Sequence, residues 1–149
     1  MSILSVNTVR SLGTGAPVFQ NVSGTEKGQL AKAWVNFNGF NVTSSSSMTG
    51  VISSFNIAGI TDHAAGDYTV TFANAMSNTN YCFTGSVNNT KSDGTQLAGA
   101  TRGPVGIFQS NSAAATTTTF RVETRFGATN NNVGGNFDFT NVYCIFFGG

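Results

Sequence analysis

Apolar side chains in this sequence alternate with polar ones in stretch after stretch, and a period of two suits only a β-strand with one buried face. The clearest case is TTTFRVETRF (117–126). There Phe120, Val122, Thr124 and Phe126 share one parity, while Arg121, Glu123 and Arg125 share the other. YTVTFA (68–73) sets Tyr68, Val70 and Phe72 against Thr69 and Thr71. NYCFTGSV (80–87) repeats the theme with Tyr81, Phe83 and Val87, and AWVNFNGF (33–40) alternates Val35 and Phe37 with Asn36 and Asn38 before breaking at Gly39. VISSFNIAGI (51–60) reads as one strand with Val51, Phe55 and Ile57 on the same side. Shorter strands are expected around 97–101 and 105–110, on either side of Gly103-Pro104. VYCIFFGG (142–149) is apolar on both parities, as a central or interface strand would be.

Between these runs lie SSSSMTG (44–50), TDHAAGD (61–67), NNTKSDGTQ (88–96) and GATNNNVGGN (127–136), whose Gly, Asn, Asp and Ser residues supply turn chemistry. No helical period and no internal repeat interrupts them. About seven to nine short strands with turns every ~8–12 residues predict an all-β protein, an antiparallel β-sandwich or jelly-roll-like domain.

The first 33 residues follow a different rule. Ile3, Leu4, Val6, Val9, Leu12, Val18 and Phe19 are scattered among Gly13, Gly15, Pro17 and Gly24 with neither a period of two nor of 3.6. Such a stretch is too apolar for a free tail, yet cannot enclose its own Val and Phe. It is expected to consist of short extended pieces broken by turns. The predicted organisation is an extended N-terminal docking arm over 1–33, placed against another subunit, and a β-sandwich domain over 34–149.

Charge narrows the partners. Charged residues are only 9% of the chain and the net charge is +1, so solubility rests on Asn, Thr, Ser and Gly. The 13 Phe exclude a disordered chain. Seven cations, spread from Arg10 to Arg125, make no basic patch for phosphates, so no nucleic acid is expected. No apolar run approaches the ~18 residues of a membrane span, and MSILSVNTVRS lacks the build of a signal peptide. Cys82 and Cys144 both fall in apolar strand patterns, where reduced, buried thiols are expected, although a pairing between them stays open.

Candidates for chemistry are few. His63 is the single histidine, so any imidazole base or metal ligand within one chain is His63. Asp62, His63 and Asp67 fall within six residues and carry metal-ligating atoms, but the same residues in TDHAAGD suit a capped, exposed turn. A Ser-His-Asp set would have to use this histidine on a loop tip with no nucleophile elbow nearby. Glu26, Asp62, Asp67, Asp93, Glu123 and Asp138 form no paired-carboxylate motif, and Glu123 between Arg121 and Arg125 suits ion pairing. GTGAP (13–17) lacks the Lys-Ser/Thr of a phosphate loop. Trp34 is expected as a core or interface anchor, and Trp34 and Tyr143 are the candidates for stacking on a sugar. The expectation is a protein that is not an enzyme, with no catalytic, cofactor-binding or metal residues and no cofactor.

AKAWVNFNG (31–39), followed by SSFNIAGITDHAAGDYTVTFANAMSNTNYCFTGS (53–86), resembles a module found in tail-fibre and other virion proteins of cyanophages and related marine phages. NVYCIFFGG (141–149) is similar to the strand that closes that module, and ILSVNTVRS (3–11) to the short starts of such proteins. His63-Ala64-Ala65 stands where polar residues and Gly are usual, and the chain has no long shaft. The resemblance implies a non-catalytic virion structural protein, a short tail-fibre or appendage-type component anchored by its arm. A capsid decoration (cement) protein is the alternative and a host-surface carbohydrate-binding module the third reading. It implies further copies of the chain in a homotrimer, capsid or tail proteins bound through residues 1–33, a place on the virion surface after assembly in the host cytoplasm, and a host glycan as a further partner.

Overall fold

The computed structural model describes residues 18–20, 23, 26–88, 105–127 and 134–148. Within them the strands are β1 (Val18–Gln20), β2 (Glu26–Gln29), β3 (Ala33–Phe37), β4 (Val51–Phe55), β5 (Ile57–Ala64), β6 (Asp67–Phe72), β7 (Tyr81–Val87), β8 (Val105–Gln109), β9 (Thr119–Phe126), β10 (Gly135–Asn136) and β11 (Val142–Gly148). The described residues contain no α-helix, only one 3₁₀ turn at Gly39–Asn41. Every strand pair is antiparallel.

Two sheets pack face to face, as the period of two requires. One runs β4-β3-β11-β7; the other runs β5-β6-β9, with β8 and β10 also on β9. β8 and β6 overlap on β9 at Val122 and Glu123, so they take opposite edges of that strand. Alternate residues of each sheet meet in the middle: Ala33, Val35 and Phe37; Tyr68, Val70 and Phe72; Phe120 and Val122; Val142, Cys144 and Phe146. Rings interlock across the gap, with Phe72 and Phe146 5.0 Å apart edge to face, Phe83 and Phe120 also 5.0 Å apart, and Phe37 against Tyr68 at 5.1 Å. Such pairs add about 0.5–1.5 kcal/mol each beyond the area they bury.

The predicted strand 51–60 is in fact two. Asn56 has φ 56°, a conformation that Asn tolerates better than branched residues, and the chain there leaves one sheet for the other. Its amide holds the corner closed. Nδ2 donates to the Lys32 carbonyl at 3.0 Å and the Asn74 carbonyl at 3.2 Å, while Oδ1 accepts from the Asn74 backbone N–H at 2.7 Å. The turn also reverses the expected parity. Ile57 is buried, but Phe55 points outward and is 49% exposed.

Two boundaries move. Ala33, assigned to the arm by the sequence, is the fully buried first residue of β3, paired with Phe146. TDHAAGD is mostly strand: β5 continues to Ala64, β6 begins at Asp67, and only Ala65-Gly66 turns. Cross-strand pairing of Thr61 with Thr69 and Asp62 with Tyr68 outweighs the turn propensity of Asp and His. Gly66 supplies the positive φ of +68° that this short turn needs.

Of the arm, β1 and β2 form a separate two-stranded sheet, a hairpin in keeping with short extended pieces. Residues 1–17, the loop 89–96, the expected strand 97–101 and the loop centre 128–133 lie outside the described residues.

Candidate functional site

Within the strands of the two packed sheets, the charged residues all belong to one sheet. β3, β4, β7 and β11 contain no Asp, Glu, Lys or Arg. Asp62, Asp67, Arg121, Glu123 and Arg125 all belong to β5, β6 and β9. On the outer face of that sheet Asp67 lies directly across from Glu123, two like charges that would repel. Each is neutralised. Arg121 grips Asp67 with both ends of its fork, Nε to Oδ1 at 2.7 Å and a terminal nitrogen to Oδ2 at 2.6 Å, and this partner raises the arginine's own pKa. Arg125 pairs with Glu123, whose second oxygen accepts from the Ser110 hydroxyl at 2.7 Å. The expected Arg121–Glu123–Arg125 ladder is thus divided between two acids. Asp67 was the partner that local spacing along one strand could not reveal.

Asp138 forms a second polar centre, at one end of the sandwich. It lies between Phe137 and Phe139 and accepts at Oδ1 from the Gly66 N–H at 2.6 Å and from the hydroxyl of fully buried Tyr68. Burial first, then this hydrogen bond to a carboxylate, pushes the Tyr68 pKa far up. The Gly39 N–H donates to the Phe139 carbonyl at 2.9 Å, and a Cβ at Gly39 would collide with the Tyr68 hydroxyl. Asp62 is near: its pKa is raised by partial burial and then by the charge of Asp138, and its Oδ1 is buried without a hydrogen-bond partner. The structure does bring Asp62 and Asp138 within electrostatic reach, which sequence separation hid. The only signal was a lone acid flanked by two phenylalanines.

His63 lies on β5 at a bulge, exposed, with Nε2 2.9 Å from the Thr69 hydroxyl. Asp67 is held by Arg121 and so is not free to serve His63. Among the described residues no three His, Cys, Asp or Glu side chains group as metal ligands would. These polar groups act as fixed posts that tie the β5–β6 turn and the 137–139 segment to the core.

The outer face of the β4-β3-β11-β7 sheet has the opposite character. Register places Phe55, Trp34, Ile145 and Thr84 in one cross-strand row, and Ser53, Asn36, Tyr143 and Ser86 in the next. Phe55, Trp34, Tyr143 and Ile145 are all exposed, at 49, 37, 39 and 36%. Trp34 is therefore an outward residue and not part of the core, and the two candidate stacking residues share one face. Cys82 is exposed on this same face, beside Phe147, whereas Cys144 points into the core. The expectation of two buried thiols holds for Cys144 alone, and the two cysteines lie on opposite faces of the sheet. Burial drives the Cys144 pKa far up, so this thiol stays protonated.

No family model, curated protein or solved structure matches this chain. No helix of the described residues is long and apolar enough to cross a membrane.

Proposed function

We propose that this chain is a non-catalytic structural protein of a bacteriophage particle, a short tail-fibre or appendage-type component attached through the residues that precede β3 and present as a homotrimer. One observation carries the reading. The strings that resemble the virion module, 31–39, 53–86 and 141–149, supply β3, most of β4, β5 to β7 and β11. The resemblance therefore falls on the strands of both sheets and on the Asn56 corner, on positions that build a fold and not on scattered residues of a reaction centre. The consumption of Asp67, Glu123 and Asp138 in internal pairs supports a passive role as well.

Capsid decoration is the second reading, favoured by a sandwich with no shaft among the described residues. Quantitative mass spectrometry of purified particles tests both. Copies in the low tens per particle support the appendage and copies in the hundreds support decoration. Absence from particles overturns the proposal.

A further inference from the structure

We propose that the outer face of the β4-β3-β11-β7 sheet is a contact surface for a second copy of this chain. The inference rests on the part of the proposed function that brings many copies together on one particle.

The face has the composition of an interface centre. Phe55, Trp34 and Ile145 stand side by side across three strands, Tyr143 lies diagonal to Trp34, and each is more than a third exposed. Their neighbours Ser53, Asn36, Thr84 and Ser86 are polar but uncharged. Depletion of charge together with enrichment in aromatic residues is what separates interface cores from ordinary protein surface.

Charge selects the partner. The four strands bear no formal charge at all, while the opposite sheet bears Asp67, Arg121, Glu123 and Arg125. Lys32 borders this sheet, just before β3 with its N–H on the Phe146 carbonyl, but at the centre of the face a charged partner surface would be stripped of water with nothing to pair against. The matching surface must be neutral, apolar and flat, and this sheet face itself meets that description. Two such sheets stack at about 10 Å with strands rotated by roughly 30°. Aliphatic Ile145 in the middle of the row suits protein packing better than a sugar, which stacks on aromatic rings.

Area sets the strength. Four strands at about 4.8 Å spacing and five residues at about 3.4 Å give a face on the order of 300–400 Å², about half of the ~800 Å² per partner in a standard stable interface. The face alone supports a weak contact that becomes effective where copies are held close together.

Trp34 is the only tryptophan and sits within this surface, so its emission reports on coverage directly. The test is sedimentation velocity of the full chain from micromolar to near-millimolar concentration, with Trp34 emission read on the same samples. The expected result is a rise in sedimentation coefficient accompanied by a blue shift of the emission. Ile145→Glu and, separately, edge-strand Phe55→Glu abolish both changes, while His63→Ala on the opposite sheet leaves both intact. Far-UV circular dichroism checks folding, and Phe55→Glu carries the test if the central-strand variant fails to fold.

A sedimentation coefficient that does not rise, with solvent-like emission throughout, overturns the inference. So does association that survives both glutamate variants, which places the contact elsewhere. Blue emission independent of concentration and lost on deleting residues 2–17 would assign the face to the chain's own N-terminal segment. A shift seen only on adding neutral oligosaccharides would assign it to a glycan. Particle-borne but monomeric protein sinks this inference and the homotrimer while sparing the place on the particle; self-associating protein absent from particles sinks that place and spares the inference.

Discussion

Tyr68 links the core to the polar end of the molecule, because its ring meets Phe37 in the core and its hydroxyl reaches Asp138 at the end. Tyr68→Phe keeps the ring and removes one donor from a carboxylate, so the expected cost is about 1.5–3 kcal/mol in a denaturant titration. A loss below ~0.5 kcal/mol would show that solvent replaces the bond fully. Asp62 works in the other direction. Its pKa is raised in the fold, so the folded state holds that proton more tightly than the unfolded chain does. Its favourable contribution is complete below the ordinary carboxylate range and is lost as pH rises through the raised value. Asp62→Asn is therefore expected to raise the melting temperature at pH 7, and the gain should vanish under acid conditions. A gain that persists unchanged at pH 3 would exclude this origin. The cysteines offer a simpler check: a thiol reagent should modify Cys82 in the folded protein and reach Cys144 only after unfolding.

At the scale of elements, the corner at Asn56 decides which apolar residues are inside. Asn56→Ala loses the hydrogen bonds to Lys32 and Asn74 and must hold a positive φ. The expected loss is about 2–3 kcal/mol, with Asn56→Gly milder by about 1 kcal/mol since glycine accepts that conformation. Equal losses in the two variants would show that the backbone conformation contributes nothing. β11 is the element most exposed to core damage. Phe146 is fully buried and touches the rings of Phe72, Tyr81, Phe83 and Phe120, so Phe146→Ala should cost about 3–5 kcal/mol. Most strands were legible because Val35, Phe37, Tyr68, Val70, Phe72, Phe120 and Val122 follow a period of two that the sheets enforce. The break at Asn56 was not legible, since one residue in a left-handed conformation leaves the flanking pattern looking continuous. Nor was the β5–β6 turn, where residues common in turns are held in a strand by partners across the sheet.

For the whole molecule, sequence spacing conveyed the poverty of charge but not its segregation. Which strand lies beside which is a long-range fact, and only the pairing of β3 with β11 and β6 with β9 separates a neutral sheet from a charged one. The polar end was hidden for the same reason: Tyr68 and Asp138 are 70 residues apart. The pairing of β3 with β11 has a mechanical consequence. Ala33 opens β3 and pairs with Phe146 near the end of β11, so both strands leave the sheet from the same end. Tension applied between residues 33 and 148 would unzip that ladder one bond at a time. Tension between residues 33 and 142, at opposite ends of the paired stretch, would load every bond together in shear. In single-molecule pulling the first geometry should yield at distinctly lower force than the second. A domain so strung resists being suspended between two anchors poorly, and is best held from one side.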